Sequence, residues 1–136
     1  MARILSIDYG GKRTGLAVTD PSQIIAGGLC TIETPKLMAF LKDYFLKEGV
    51  ELVIIGMPVN WDETDTHATP LVKKFIKEFQ KHFPAMPIKE VDERYTSKLA
   101  SQAMLEMGLK KKQRQNKALV DEIAATIMLQ DYMRNL

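Results

Sequence analysis

Ile4-Leu5-Ser6-Ile7-Asp8-Tyr9-Gly10-Gly11-Lys12-Arg13-Thr14-Gly15-Leu16-Ala17-Val18 reads as an apolar strand, a glycine-rich turn carrying two cations, and a second apolar strand. Period-two alternation puts Ile4, Ser6 and Asp8 on one face and Leu5 and Ile7 on the other, so Asp8 stands at the rim of a mostly buried sheet. A carboxylate there needs a partner or a metal. Gly10 and Gly11 allow positive φ directly after the acid, as a tight hairpin requires. The spacing from Gly10 to Gly15 is not a P-loop: Leu16-Ala17 follows in place of Lys-Ser/Thr, and the chain continues as a strand. A dinucleotide fingerprint fails too, since it needs a helix N-terminus at the phosphate. The structural alternative for Asp8 is a turn-forming acid bonded to its own backbone.

Outward from this hairpin, Ile24 to Glu33 forms a third strand that completes an antiparallel meander, with Gly27-Gly28 marking a bulge or bend. Leu37, Phe40, Leu41, Tyr44 and Phe45 recur at helical spacing over 37–47, and Gly49 stops that helix. Glu51 to Gly56 is a short apolar run of the kind buried on both faces. Reached by a helical crossover, it lies parallel to the first strand and is ended by Pro58. Asn60 to Thr69 has no periodicity and is expected to border the site. Leu71, Val72, Phe75, Ile76 and Phe79 mark a second helix, and Ile88 to Val91 a further strand running into Asp92-Glu93-Arg94. Thr96 or Ser97 caps a helix closed by Gly108, and Asn116 caps a last helix reaching about Tyr132. In it Asp121 stacks over Ala124, Ala125 and Met128, out of place for packing; the alternative is a charge that favours the helix dipole.

At 136 residues the chain is expected to form one domain, 1–136, with a real core. Cys30 is the only cysteine, so no internal disulfide forms and a core thiol is the simpler reading. The absence of a leader-like segment or a long apolar run predicts a soluble, cytoplasmic protein. The net charge of +2 hides an asymmetry: Lys110, Lys111, Lys112, Arg114 and Lys117 lie in one short acid-free stretch that carries the whole positive excess. Such a run is either a solvated loop or a local phosphate-binding patch.

Three acid positions stand out: Asp8 at a strand end, Asp92 or Glu93 after a later strand, and Asp121 on the last helix. In a parallel arrangement they converge at one sheet edge. Clustered carboxylates repel without a cation among them, and hard oxygen ligands select Mg²⁺ or Mn²⁺. Metal-assisted in-line attack at phosphorus is the chemistry such a site performs. Lys12, Arg13, Arg94 and the basic run supply phosphate contacts, the two arginines bidentately. Arg94 paired with a neighbouring acid is the ordinary alternative. His67 and His82 lack the spacing of a zinc motif; Trp61 either stacks on an unpaired base or closes over the core.

Four motifs in order carry a resemblance: Asp8 to Ala17, Gly56-Met57-Pro58, Asp92-Glu93-Arg94-Tyr95-Thr96-Ser97, and Lys117 to Ala125 with Leu129-Gln130. Together they resemble, over nearly the full length, the YqgF or RuvX family of the ribonuclease H-like superfamily. That family is described both as Holliday junction resolvases and as nucleases that mature the small-subunit ribosomal RNA precursor. The resemblance implies an α/β ribonuclease H-like fold, a five-stranded mixed sheet of an antiparallel meander followed by parallel strands, flanked by helices. It also implies divalent-metal phosphodiester hydrolysis, and assigns the catalytic and metal-binding roles to Asp8, Glu93 and Asp121. Between Asp92 and Glu93 the strand's last residue decides, and Glu93 is preferred.

The leading expectation is therefore a metal-dependent endonuclease acting on nucleic acid, with Mg²⁺ or Mn²⁺, in ribosomal RNA maturation. The alternatives are a Holliday junction resolvase, whose paired cuts call for a homodimer, and a non-catalytic binding factor with salt-sensitive affinity. An actin-like ATPase would need a larger, two-lobed chain.

Overall fold

The computed structural model of the chain describes residues 2–58, 69–92, 102, 105, 108 and 117–134, the side chains of residues 117 and 118 excepted. Five strands form one sheet: β1 (Arg3–Asp8), β2 (Arg13–Thr19), β3 (Ala26–Glu33), β4 (Val50–Met57) and β5 (Ile88–Asp92). Their order is β3-β2-β1-β4-β5. β1, β2 and β3 pair antiparallel, while β4 and β5 add in parallel on the other side of β1. This is the mixed ribonuclease H-like sheet that the resemblance implies. Among the described residues three α-helices flank it: α1 (Leu37–Lys47), α2 (Thr69–His82) and α3 (Lys117–Arg134).

The apolar alternation of the strands sorts the helices onto two faces. Leu5, Ile7, Leu16, Val53, Ile55 and Met57 join the buried residues of α1 and α2 in the larger core. Ile4, Ala17 and Ile54 meet Ala125 and Leu129 of α3 in a smaller one. β4, buried from Val53 to Met57, is apolar on both faces because helices cover both. Ala17 and Ala125 are small side chains within it, which lets α3 lie close to the sheet there. The Ser6 hydroxyl, fully buried at the centre of β1, donates to the carbonyl of Ala125 at 2.9 Å and fastens that contact.

Two boundaries differ from the sequence reading. β3 begins at Ala26, leaving Ile24 and Ile25 exposed in the preceding turn. There Asp20 Oδ1 accepts from both of their backbone N–H groups, at 2.7 and 2.8 Å, which holds them in a loop rather than a ladder. α2 begins at Thr69, whose buried hydroxyl donates to the carbonyl of Pro58 at 2.6 Å and ties the helix start to the end of β4. The expected irregularity in β3 is present: Leu16 pairs with Cys30 and Ala17 with Gly28, so Leu29 is the extra residue of a bulge. Cys30 is half-buried, and burial, with the Glu122 carboxylate second, pushes its thiol up from its ordinary value, as suits a packing thiol. Among the described residues no helix is long and apolar enough to cross a membrane.

Candidate active site

Asp8 ends β1 and pairs across the hairpin with Gly15 of β2. Its even-numbered strand neighbours, Ile4 and Ser6, face α3, so alternation directs Asp8 toward α3 as well. α3 descends onto that spot at Gly15, where a Cβ would overlap the backbone carbonyl of Asp121. Gly15 is therefore the common neighbour of both acids: it pairs with one and touches the backbone of the other. One strand over, a Cβ on Gly28 would overlap the Glu122 side chain, so two glycines form the bed for this turn of α3.

The turn between the acids is held by hydroxyl groups rather than by left-handed backbone. Gly108 is the one glycine with positive φ among the described residues, so the expectation of positive φ at Gly10 and Gly11 does not hold. Gly10 is required for a different reason: a Cβ there would overlap the carbonyl of Arg13 across the hairpin. The Thr34 hydroxyl donates to the Gly10 carbonyl at 2.5 Å. Its one proton thus spent, it accepts from Thr14 Oγ1 at 2.9 Å, and Thr14 in turn accepts from the Gly10 N–H at 3.5 Å. The Thr34 N–H donates to the Lys12 carbonyl at 3.0 Å. Thr34 was not singled out by the sequence reading, because its position ahead of Pro35 at a helix start is too common to mark it.

Arg13 lies on the same face as Asp8, and its Nε is 3.5 Å from Asp121 Oδ2, both side chains about 30% exposed. That nitrogen is buried without a hydrogen bond, so its contact with Asp121 is charge attraction without a formed donor bond. A guanidinium thus balances part of the negative charge that Asp8 and Asp121 bring together. Lys12 is exposed at the turn. Tyr9 turns to the opposite face and stacks on Phe75 of α2, centroids 4.8 Å apart, and burial raises its phenol.

β5 fixes the face of Asp92, its last residue. Ile88 packs in the larger core, whereas Val91 packs in the smaller one and Lys89 lies over the Tyr132 ring of α3 at 5.4 Å. Asp92 pairs with Met57 and so belongs with Ile88, on the face opposite Asp8. Glu93, Arg94, Lys110, Lys111, Lys112, Arg114 and the side chain of Lys117 lie outside the described residues, as do Trp61 and His67.

Divalent cations of the hard class need oxygen donors. Asp8 and Asp121 supply such donors at one rim, but among the described residues no group of three His, Cys, Asp or Glu side chains is close enough to hold a metal. The donor chemistry fits Mg²⁺ or Mn²⁺ with a further carboxylate to complete it.

A family model described as "RuvX: Holliday junction resolvase" matches residues 2–135. The chain belongs to the RuvX family. It is 59% identical, over 98% of its length and 97% of the relative's, to a Flavobacterium psychrophilum protein named "Putative pre-16S rRNA nuclease". A Bacteroides thetaiotaomicron protein of the same name is 51% identical over 99% of this chain and 98% of its own. Among solved structures, the RuvX chain shares its fold with fowlpox virus resolvase, in a complex with Holliday junction DNA, at a TM-score of 0.56 and 15% identity over 98% and 97% of the two chains. It does so equally with Thermus thermophilus RuvC, in complex with a Holliday junction substrate, at a TM-score of 0.56 and 18% identity over 99% and 96%. For this RuvX chain the latter two establish the architecture.

Proposed function

We propose that residues 1–136 form one metal-dependent endonuclease domain that hydrolyses phosphodiester bonds in the precursor of small-subunit ribosomal RNA. The observation that carries this reading is that Gly15 pairs with Asp8 at the end of β1 and lies against the backbone of Asp121 in α3, which supports a site shared by the two acids. The names of the full-length relatives support RNA as the substrate. The resolvase structures that share the fold favour a second reading, branched DNA cut by a homodimer.

In this mechanism Asp8, Asp121 and Glu93 are the ligands. Glu93 is preferred over Asp92 because alternation along β5 assigns Asp92 to the wrong face and the next residue to the face of Asp8. Mg²⁺ or Mn²⁺, once bound, supplies the charge that activates water and stabilises the leaving oxygen in an in-line displacement. The chain's own groups position the substrate. Arg13, held beside Asp121, meets a phosphate oxygen bidentately, and Lys12, Arg94 and the run Lys110, Lys111, Lys112, Arg114 and Lys117 contact flanking phosphates. The Thr14–Thr34–Gly10 bonds keep the turn rigid while they do so. A cytoplasmic location, where the ribosomal precursor is made, accompanies this function.

The test is cleavage of end-labelled precursor 16S rRNA and a four-way DNA junction in Mg²⁺ or Mn²⁺, comparing wild type with Asp8→Asn. Metal-dependent cuts in the RNA that vanish in the variant are expected, with a loss of at least about a hundredfold. Cuts confined to the junction would transfer the assignment to branched DNA. Binding without cutting of either substrate would leave a nucleic-acid-binding factor.

A further inference from the structure

On the face opposite the carboxylates, α1 and α2 leave a groove between them. It consists of two concavities that share Met38, one of about 260 Å³ beside Tyr9 and Thr34 and one of about 360 Å³ beside His82 and Phe83. α2 presents Leu71, Lys74, Phe75, Glu78 and His82 to it, a spacing of three, one, three and four residues that follows one side of the helix. From Leu71 to His82 this stripe rises about 16 Å. Ala39 and Lys42 of α1 stand on the far wall.

The groove opens at the catalytic hairpin. Tyr9 is the residue after Asp8, and a Cβ on Gly11 would sit 3.8 Å from the Leu71 side chain, so the turn itself forms the mouth. Its floor is apolar and aromatic, with the Tyr9 ring lying against Phe75 and the Phe83 ring at the far end. Its rim is cationic. Lys42 and Lys74 line it, and Lys77 and Lys81 are exposed along α2, against Glu78 as the one acid of that helix.

Aromatic groups below and lysines above are what an unpaired polynucleotide strand uses: bases stack or bury, and phosphates ride on the cations. Glu78 argues against a bare phosphate track, since a carboxylate inside the groove repels phosphate. Paired with Lys81 at 3.9 Å, it can still accept from the exocyclic amines of bases turned inward. A paired strand keeps its bases in its own stack and cannot offer them to a groove of this width.

We propose that the α1–α2 groove binds an unpaired segment of the nucleic-acid substrate leading to the cut, its bases against Tyr9 and Phe83 and its phosphates on Lys42 and Lys74. This rests on the nuclease reading and makes a single-stranded flank the feature the enzyme selects.

The experiment measures binding of a fluorescein-labelled single-stranded RNA of roughly 12 nucleotides, and of a hairpin duplex, by anisotropy over a range of salt with a chelator present. Wild type is compared with the double variant Lys42→Gln and Lys74→Gln, and separately with Ala39→Glu, which sets a negative charge on the α1 wall; circular dichroism checks that each is folded. With about 0.7 of slope lost per phosphate contact on single strands, the double variant is expected to flatten the salt slope by about 1.4. Both variants weaken single-strand binding at least about fivefold, and duplex affinity changes less than about twofold. Unchanged single-strand binding in either variant overturns the proposal, as does an equal loss on the duplex. If wild type cuts no RNA or junction yet binds single strands through Lys42 and Lys74, the groove stands and the nuclease reading falls.

Discussion

At the scale of single residues, polar side chains in this protein act chiefly by fixing backbone. Asp20 is partly exposed, and its carboxyl is held below its ordinary value, first by the backbone N–H of Ile25 and then by that of Ile24. Its unfolded form therefore binds a proton at a higher pH than its folded form. The stability it contributes is complete above the ordinary aspartate range and is lost as pH falls through the depressed folded value. Thermal melts between about pH 6 and pH 2 are expected to show wild type converging on Asp20→Asn at the acid end while exceeding it near neutrality. A constant gap over that range would mean the charge contributes nothing to the turn. The two acids proposed as catalytic were legible as outliers because they violate a pattern: Asp8 interrupts an apolar strand and Asp121 stands on a stripe of alanines. Thr34 was not, because a threonine before a proline at a helix start is ordinary; what distinguishes it is the hairpin 20 residues away in sequence that its hydroxyl clamps.

At the scale of elements, alternation and helical spacing specify the strands and helices, while their ends depend on contacts that sequence does not display. The span 37–47 of α1 agrees with the reading because Gly49 and the helical apolar stripe set it locally. The start of β3 does not, because the Asp20 side chain captures the N–H groups of Ile24 and Ile25. The face of Asp92 likewise needed to be read from where Val91 and Ile88 pack, a tertiary fact. The approach of α3 to β2 is the element-level feature on which the site depends. Because a Cβ at Gly15 meets backbone of Asp121 rather than a movable side chain, Gly15→Ala must displace the helix. It is expected to destabilise the protein by about 1–3 kcal/mol in denaturant unfolding. The same change should cut RNA cleavage more than tenfold in the fraction that remains folded, since a shift of about 1 Å in a catalytic group has that order of effect. Full activity with intact stability would show that Asp121 is not positioned through this contact.

At the scale of the whole molecule, the sheet separates two unequal cores. Phe75, Ile76 and Phe79 of α2 and Leu37 and Leu41 of α1 are buried against one face, whereas α3 rests on Ala17, Gly15 and Gly28 and buries Ala124, Ala125, Met128 and Leu129. Buried apolar area scales with stabilisation, so α3, with no buried aromatic ring against the three phenylalanine- and isoleucine-sized side chains of α2, is expected to open at lower free energy than α2. It is also the layer that carries Asp121 away from or toward Asp8. A divalent ion held by both carboxylates would bridge α3 to β1, the most central strand, and by mass action would stabilise the closed arrangement by about 2.7 kcal/mol at a hundred times its dissociation constant. Hydrogen exchange is therefore expected to show faster exchange in residues 119–134 than in α2 or β4 without metal. Mn²⁺ or Mg²⁺ should slow α3 in wild type and leave it unchanged in Asp121→Asn. The variant also removes the partner of Arg13, so its metal-free exchange rate supplies the baseline for that comparison. Protection of α3 that ignores metal in wild type would mean the two acids do not share an ion, and would detach the metal-site reading from the fold that brings them together.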